Sequence, residues 1–211
     1  MLFPLHLQTF HLSGTPVEIF VPEITEVKAA YENGTIQFPY WSRVWPSAKA
    51  IAQFLLLNPS YIRGKTVLEL GAGLGLPSLV AARFATHVHC TDHVPDAVAV
   101  VAQSAAHLQL QNLTAGVLDW EQLPEGLRAD VLLLSDINYE PVAFNTLQHI
   151  IAAFLQNGAT VLLSTPQRLM AREFVLPLLK HCTRQEEIVV MQEENEVAIT
   201  VLVLEQAKGA V

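Results

Sequence analysis

The rhythm of apolar and polar positions changes near Ile62. Before it the pattern is cut by prolines. Residues 10–21 alternate in the manner of a β-hairpin, 23–33 form a short polar segment without a decided period, and 38–46 carry Trp41 and Trp45. Pro46 followed by the apolar run 47–57 predicts a helix with proline in its first turn, where a missing N–H breaks no hydrogen bond. After Gly64 the chain settles into regular alternation. Residues 66–70, 88–91, 114–118, 130–135 and 160–164 read as strands, and 76–84, 96–108, 142–155 and 169–181 as helices. Residues 186–192 and 197–204 are two β-rich runs joined by an acidic turn, an antiparallel hairpin.

Strands alternating with helices predict an α/β fold: a Rossmann-like doubly wound sheet, mostly parallel, with one antiparallel strand contributed by the C-terminal hairpin. The 211 residues suit a single domain, 1–211, with a short N-terminal extension and lid or hairpin (1–62) ahead of the Rossmann-like core (63–211). Hydrophobic residues make up 51% and charged residues 15%, which excludes a disordered chain and fits strands covered on both faces. A net charge of −8 lacks the basic footprint of a nucleic-acid binder and mildly favours a cationic partner. The opening 20 residues have no basic segment, and their apolar run is broken by His6, Gln8 and His11; no later run has the ~18 apolar residues of a membrane span. The expectation is a cytoplasmic protein with no membrane partner. Cys90 and Cys182, far apart in apolar runs, read as buried thiols of a reducing compartment.

The most informative stretch is Val67-Leu68-Glu69-Leu70-Gly71-Ala72-Gly73-Leu74-Gly75-Leu76. A strand ends, alternate glycines turn the chain tightly, and a helix begins at the carboxyl edge of the sheet, where such folds bind ligands. A dinucleotide site prefers a third glycine three residues after the second; here Leu76 stands in that place. Glu69 adds a carboxylate that would repel a diphosphate and welcome an α-amino group. The pattern therefore points to S-adenosylmethionine (SAM), with S-adenosylhomocysteine (SAH) as product, and away from NAD. Asp92, 23 residues after Glu69, ends the next strand and is placed to accept hydrogen bonds from ribose hydroxyls, or else to cap the following helix. Asp119 and Trp120 close the third strand, a carboxylate for an adenine amine and a ring for the base, although a turn and a core residue would look the same.

These residues resemble the class I SAM-dependent methyltransferases. The segment Pro39-Tyr40-Trp41-Ser42-Arg43-Val44-Trp45-Pro46-Ser47-Ala48, the glycine turn and Asp136-Ile137-Asn138-Tyr139 narrow the likeness to the seven-strand protein lysine methyltransferases, the group that includes the electron-transfer-flavoprotein β-subunit lysine methyltransferase. The likeness runs from about Phe38 to Tyr139. It implies a seven-stranded sheet, a cofactor site of Trp45, Glu69, Gly71, Gly73, Gly75, Asp92, Asp119, Trp120 and Ser135, and an acceptor site bordered by Asp136 and Tyr139. It also implies a protein substrate. The Asn/Asp-Pro-Pro-Tyr signature of enzymes that methylate nucleobase amines and glutamine amides is missing, which argues against a nucleic-acid substrate.

Two other classes stand beside a protein lysine methyltransferase: a small-molecule amine N-methyltransferase and a non-catalytic SAM-binding partner. The alternative for Asp136 and Tyr139 is that they only cap the helix starting near Pro141. His87, His89 and His93 invite a metal reading, but with Asp92 alone beside them they read as solvated or edge histidines, and no metal is expected. Tyr31, Tyr40 and Trp41 suit an acceptor channel, core packing or a lid equally, and Glu193, Glu194 and Glu196 a solvated hairpin tip. The acceptor's identity and the oligomeric state have no signature.

Overall fold

The computed structural model describes residues 3–138, 140–166 and 171–206. Strands β1 (Leu5–Leu12) and β2 (Thr15–Pro22) form a separate two-stranded hairpin, followed by helix α1 (Ile24–Glu32) and helix α2 (Pro46–Leu57). Then come β3 (Thr66–Leu70), α3 (Leu76–Ala81), β4 (His87–Asp92), α4 (Pro95–His107), β5 (Leu113–Val117) and β6 (Val131–Ser135). The chain continues through α5 (Phe144–Gln156), β7 (Thr160–Pro166), α6 (Ala171–Val175), β8 (Cys182–Gln192) and β9 (Asn195–Leu204).

The main sheet has seven strands in the order β5-β4-β3-β6-β7-β9-β8. β9 runs antiparallel to both β7 and β8, and the other pairings are parallel. Strand order reverses between β3 and β6, so a crevice opens there beyond the carboxyl ends of the strands. At the opposite end of these two strands, Asp130 accepts hydrogen bonds from the Thr66 backbone N–H (2.7 Å) and hydroxyl (2.8 Å). Those bonds hold the Asp130 carboxyl below its usual range and clamp the base of the crevice.

Period-2 alternation divides each central strand between two cores. Val67, Val131, Leu133, Leu162, Val201 and Val203 face a layer made with α2, α3, α4 and the N-terminal hairpin. Leu68, Leu70, Leu132, Leu134, Val161 and Leu163 face α5 and α6. Both faces are therefore covered, as the long apolar strands require. α2 is tied to the sheet by the Ser164 hydroxyl, which donates to the Ser47 carbonyl at 2.9 Å. The hairpin is tied to α4 by the Phe20 N–H, which donates to the Ser104 hydroxyl at 3.0 Å.

Several boundaries differ from those predicted, for physical reasons. The first strand starts at Leu5, because its mostly exposed side chains carry polar residues without penalty. Residues Ile24–Glu32 are helical although only Val27 is buried. β8 reaches back to Cys182 through an irregularity at Cys182/Arg184, since an edge strand tolerates the polar run Arg184–Glu187. The helix predicted over 169–181 is α-helical only to Val175 and continues as a 3-10 turn, Leu176–His181, where Pro177 lacks the N–H that the α ladder needs. Its first two residues lie outside the described ones. Cys90 and Cys182 are free, with Cys90 buried. Among the described residues no helix is long and apolar enough to cross a membrane, and no cluster of His, Cys, Asp or Glu is arranged to hold a metal ion.

Candidate active site

A cavity of about 780 Å³ opens at the strand-order reversal. One wall comes from the ends of β3, β4 and β5; the other comes from residues 36–45 and the segment after β6. The glycine turn forms the first wall. Gly71, Gly73 and Gly75 have φ of 62°, 55° and 67°, a region that strains side-chain-bearing residues. Contacts at Gly71 and Gly75 leave no room for more than hydrogen: a Cβ on Gly71 would lie 2.8 Å from the Trp120 ring, and one on Gly75 would lie 2.8 Å from Cys90 Sγ. Gly71 thus lets an aromatic ring close over the turn, whereas Gly75 lets α3 pack on β4. Gly75 lines the cavity, but its glycine identity is explained by packing.

Asp92 is buried and joins the first two strand ends. One carboxylate oxygen accepts from the Gly73 N–H at 2.8 Å, the other from the Val94 N–H at 2.9 Å. The oxygen that accepts from Val94 is also approached by His93 Nδ1 at 3.5 Å, while the one that accepts from Gly73 retains a second acceptor position. The capping role weighed for this residue is not realised on the helix itself: α4 begins after Val94 without a side-chain cap. Asp119 accepts from the Glu121 N–H at 2.9 Å, fixing a short 3-10 turn that holds Trp120 against the cavity.

Glu69 departs from expectation. It is fully buried and absent from the cavity lining. Its carboxyl accepts from the backbone N–H (3.0 Å) and hydroxyl of Ser78 on α3, and the Ser135 hydroxyl approaches at 3.5 Å. Burial pushes this carboxyl up to about 8, against the hydrogen bonds of Ser78 and Ser135, which favour its charged form. It is therefore mostly neutral at pH 7. The direct charge contact expected from Glu69 gives way to a hydrogen-bonded brace between strand and helix, with Ser135 standing between it and the cavity. Period 2 carried the warning: Glu69 shares its strand face with Val67, toward α3, rather than with the strand's end.

The second wall is built from chain outside the strands. Trp45 precedes α2, lines the cavity and donates its indole N–H to the Tyr40 carbonyl at 2.7 Å. Trp41 lies in the core: it is 8% exposed, packs on Phe3, and its carbonyl lies 3.3 Å from where a Cβ on Gly73 would sit. The channel, core and lid readings therefore separate. Trp41 pins this wall to the glycine turn, while Tyr31 and Tyr40 remain exposed.

At the end of β6, Ser135 and Asp136 line the cavity. Asp136 is 8% exposed and has φ of 54°, and its N–H donates to the Ser164 carbonyl at 3.0 Å. Left-handed backbone at a non-glycine residue beside a cavity is a feature of functional turns. Two residues on, Asn138 is buried and donates to the Thr165 hydroxyl at 3.0 Å, anchoring the loop to β7. The sequence reading missed this anchor; an amide three residues after the apolar strand Val131-Leu132-Leu133-Leu134-Ser135 was the available sign. Tyr139 lies outside the described residues.

The cavity thus brings together Trp45, the three glycines and Asp92 with Asp119, Trp120, Ser135 and Asp136, leaving Glu69 behind the wall. A family model described as lysine methyltransferase matches residues 35–185. The human histone-arginine methyltransferase METTL23 is 31% identical over 143 residues, 64% of this chain and 75% of that protein. The mouse electron transfer flavoprotein beta subunit lysine methyltransferase is 31% identical over 139 residues, 62% of this chain and 51% of that protein. The chain therefore spans three quarters of one relative and about half of the other. Among solved structures, N-methyltransferase NodS from Bradyrhizobium japonicum, in complex with SAH, superimposes with a TM-score of 0.60 at 12% identity, covering 84% of this chain and 97% of that one. The T. thermophilus 16S rRNA N2 G1207 methyltransferase, in complex with AdoMet and guanosine, gives 0.67 at 19% identity, covering 96% and 50%. At these identities the likeness is one of fold.

Proposed function

The chain belongs to the lysine methyltransferase family and has the fold of SAM-dependent methyltransferases; from that premise we propose that it methylates a lysine ε-amine of a protein. The observation that carries this reading is Asp136: a nearly buried carboxylate that follows the strand Val131–Ser135, apolar up to Leu134, and lines the same cavity as the glycine turn. The cavity suits SAM. The glycine turn lines one side of it, Asp92 retains acceptor capacity for ribose hydroxyls, and Trp120 offers a ring face for the base. Bound there, SAM supplies a methyl group on a sulfonium.

The chain's own residues have three tasks. The first is alignment, since methyl transfer in line needs the amine held on axis; positioning of this kind is worth up to ~7–11 kcal/mol in favourable systems. Asp136 can accept a hydrogen bond from the amine and aim its lone pair. The second is deprotonation: a lysine with an ordinary pKa of about 10.4 must lose a proton, at a cost of about 4–5 kcal/mol at pH 7. Apolar walls such as Ile137, which lines the cavity beside Asp136, lower that cost by disfavouring the ammonium. The third is exclusion of water, served by Trp120 and Trp45. Ser135 and Asp119 complete the proposed cofactor contacts, and Tyr139 is proposed beside the acceptor on the resemblance alone.

The test is to incubate the purified protein with methyl-labelled SAM and a lysate of its source, then map the label by mass spectrometry. Label on protein lysine is the expected result. Label on arginine, in keeping with the name of one relative, would replace the acceptor and keep the enzyme class. Label confined to free metabolites would overturn the protein reading.

A further inference from the structure

The cavity lining is lopsided in charge. Among the described residues it holds six carboxylates, Asp92, Asp96, Asp119, Glu121, Asp136 and Glu140, against a single side chain of the Lys/Arg type, Arg43. The sulfonium and the α-amine of SAM suit that excess. Its third charge, the α-carboxylate, does not: brought in unpaired it would meet like charges, at a cost that grows as the ligand displaces water. His93, the other lining residue able to carry positive charge, already stands 3.5 Å from Asp92.

The order of the strand ends says where that carboxylate lies. Asp119 and Trp120 follow β5, Asp92 ends β4, and the glycine turn follows β3. With the base at Trp120 and the ribose at Asp92, the amino-acid end falls over the Gly71–Gly73 turn, and the methyl group points on toward Asp136 after β6. The second wall touches this turn through Trp41, whose Cα is 3.5 Å from where a Cβ on Gly73 would sit. Arg43 is two residues further on, so its Cα lies within about 7 Å of the Trp41 Cα, a gap its own side chain can span.

Arg43 is also held in a posture that leaves it ready. It sits between two fixed points, the buried Trp41 and Trp45, whose indole is tied to the Tyr40 carbonyl. Its guanidinium lies 5.3 Å from the Trp45 ring centroid, and among the described residues no carboxylate forms an ion pair with it. A guanidinium resting on a ring keeps its planar fork of N–H donors, the shape that takes a carboxylate through two parallel hydrogen bonds. We infer that Arg43 is the clamp for the α-carboxylate of the methyl donor, with Trp45 as its platform. The clamp makes the site select SAM and SAH over adenosyl sulfur compounds that end in a bare amine. The inference rests on SAM occupying the cavity as proposed above.

Calorimetry on the full chain tests it with two ligands: SAH, and decarboxylated SAH, which keeps the adenosine, the sulfur and the terminal amine. Wild type should bind SAH more tightly by ~10-fold or more, and Arg43→Ala should weaken SAH binding by roughly 10- to 100-fold, the scale of hydrogen bonds to a charged group. The same variant should leave the decarboxylated ligand within about 2-fold, which also reports that the protein is folded. Arg43→Lys keeps the charge without the fork and should retain part of the preference for SAH.

Unchanged SAH affinity in Arg43→Ala would overturn the clamp while leaving SAM in the cavity. An equal loss for both ligands would overturn it too, reducing Arg43 to a support for Trp45. Wild type that binds neither ligand would remove SAM from the cavity, and the clamp with it.

Discussion

The two walls of the cavity are made by different means. The wall at the ends of β3, β4 and β5 is fixed by backbone geometry: three positive-φ glycines, and an aspartate bonded to N–H groups of two separate turns. The wall opposite is made of loop and side-chain surface, with Trp41 buried as its anchor and Phe38, Tyr40 and Tyr31 left to solvent. A rigid wall suits a ligand that never changes, and an exposed aromatic one suits a partner with its own shape. The segment after β6 completes this second wall, held by Asn138 to β7 and carrying Asp136, the carboxylate proposed to meet the acceptor.

The sharpest way to break this contrast is to load the brace behind the rigid wall. Folding raises the proton affinity of Glu69 from its ordinary value near 4.5 to about 8. The native state therefore holds more protons than the unfolded chain between those values, and this group's effect makes stability fall as pH rises through that window. The drop from pH 5 to pH 9 attributable to Glu69 should be of order 3–5 kcal/mol, and Glu69→Gln, a mimic of the neutral form, should remove it. Denaturant melts of both proteins across that range check it; parallel pH profiles would mean that Glu69 is charged in the fold.

On the acceptor side, Asp136→Asn should cut turnover by ~10²-fold or more, the scale of a positioned group, and leave SAM affinity within a factor of a few. Turnover that falls only with the folded fraction would reduce Asp136 to a structural part. On the cofactor side the reverse split is expected. Asp92→Ala should weaken SAM binding by ~1–3 kcal/mol through lost charge-assisted hydrogen bonds, measured by calorimetry on protein shown to be folded. The smallest effect concerns the seam between the walls. Gly73→Ala adds a Cβ 3.3 Å from the Trp41 carbonyl at a φ of 55°, and should cost about 1 kcal/mol of stability. A thermal melt reads it, and an unchanged midpoint would mean that the second wall is not seated on the turn.

How much of this was legible in the chain follows the same division. Strand ends of the rigid wall announce themselves locally: Gly71 and Gly73, Asp92, and Asp119 each come at or just after the end of a strand-like run, and the parallel topology brings those ends together without further information. The second wall gathers residues 36–45 over that turn through packing, which no period reveals. Trp41 and Tyr40 are neighbours in sequence, yet one is core and the other exposed, because a 3-10 turn sends them to opposite sides. Glu69 was misread for another reason. Its place in the motif suggested a ligand contact, while its strand parity, the weaker-looking signal, pointed it at Ser78.

The left-handed turn at Asp136 bears on how this position can be explored at all. Side chains with a Cβ rarely hold φ near 54°; glycine does so freely, and asparagine and aspartate do so at small cost. A saturation library at 136 would therefore sort first by backbone tolerance and only then by chemistry. Alanine, leucine or serine would cost about 1–2 kcal/mol at this φ, a strain that Ser13, Gln109 and Glu193 bear elsewhere in the chain, whereas glycine would keep the turn and lose the carboxylate, and asparagine would keep both the turn and the shape. Glycine, asparagine and aspartate are the three residues that hold this turn at least cost, and only aspartate among them brings a charge to the cavity.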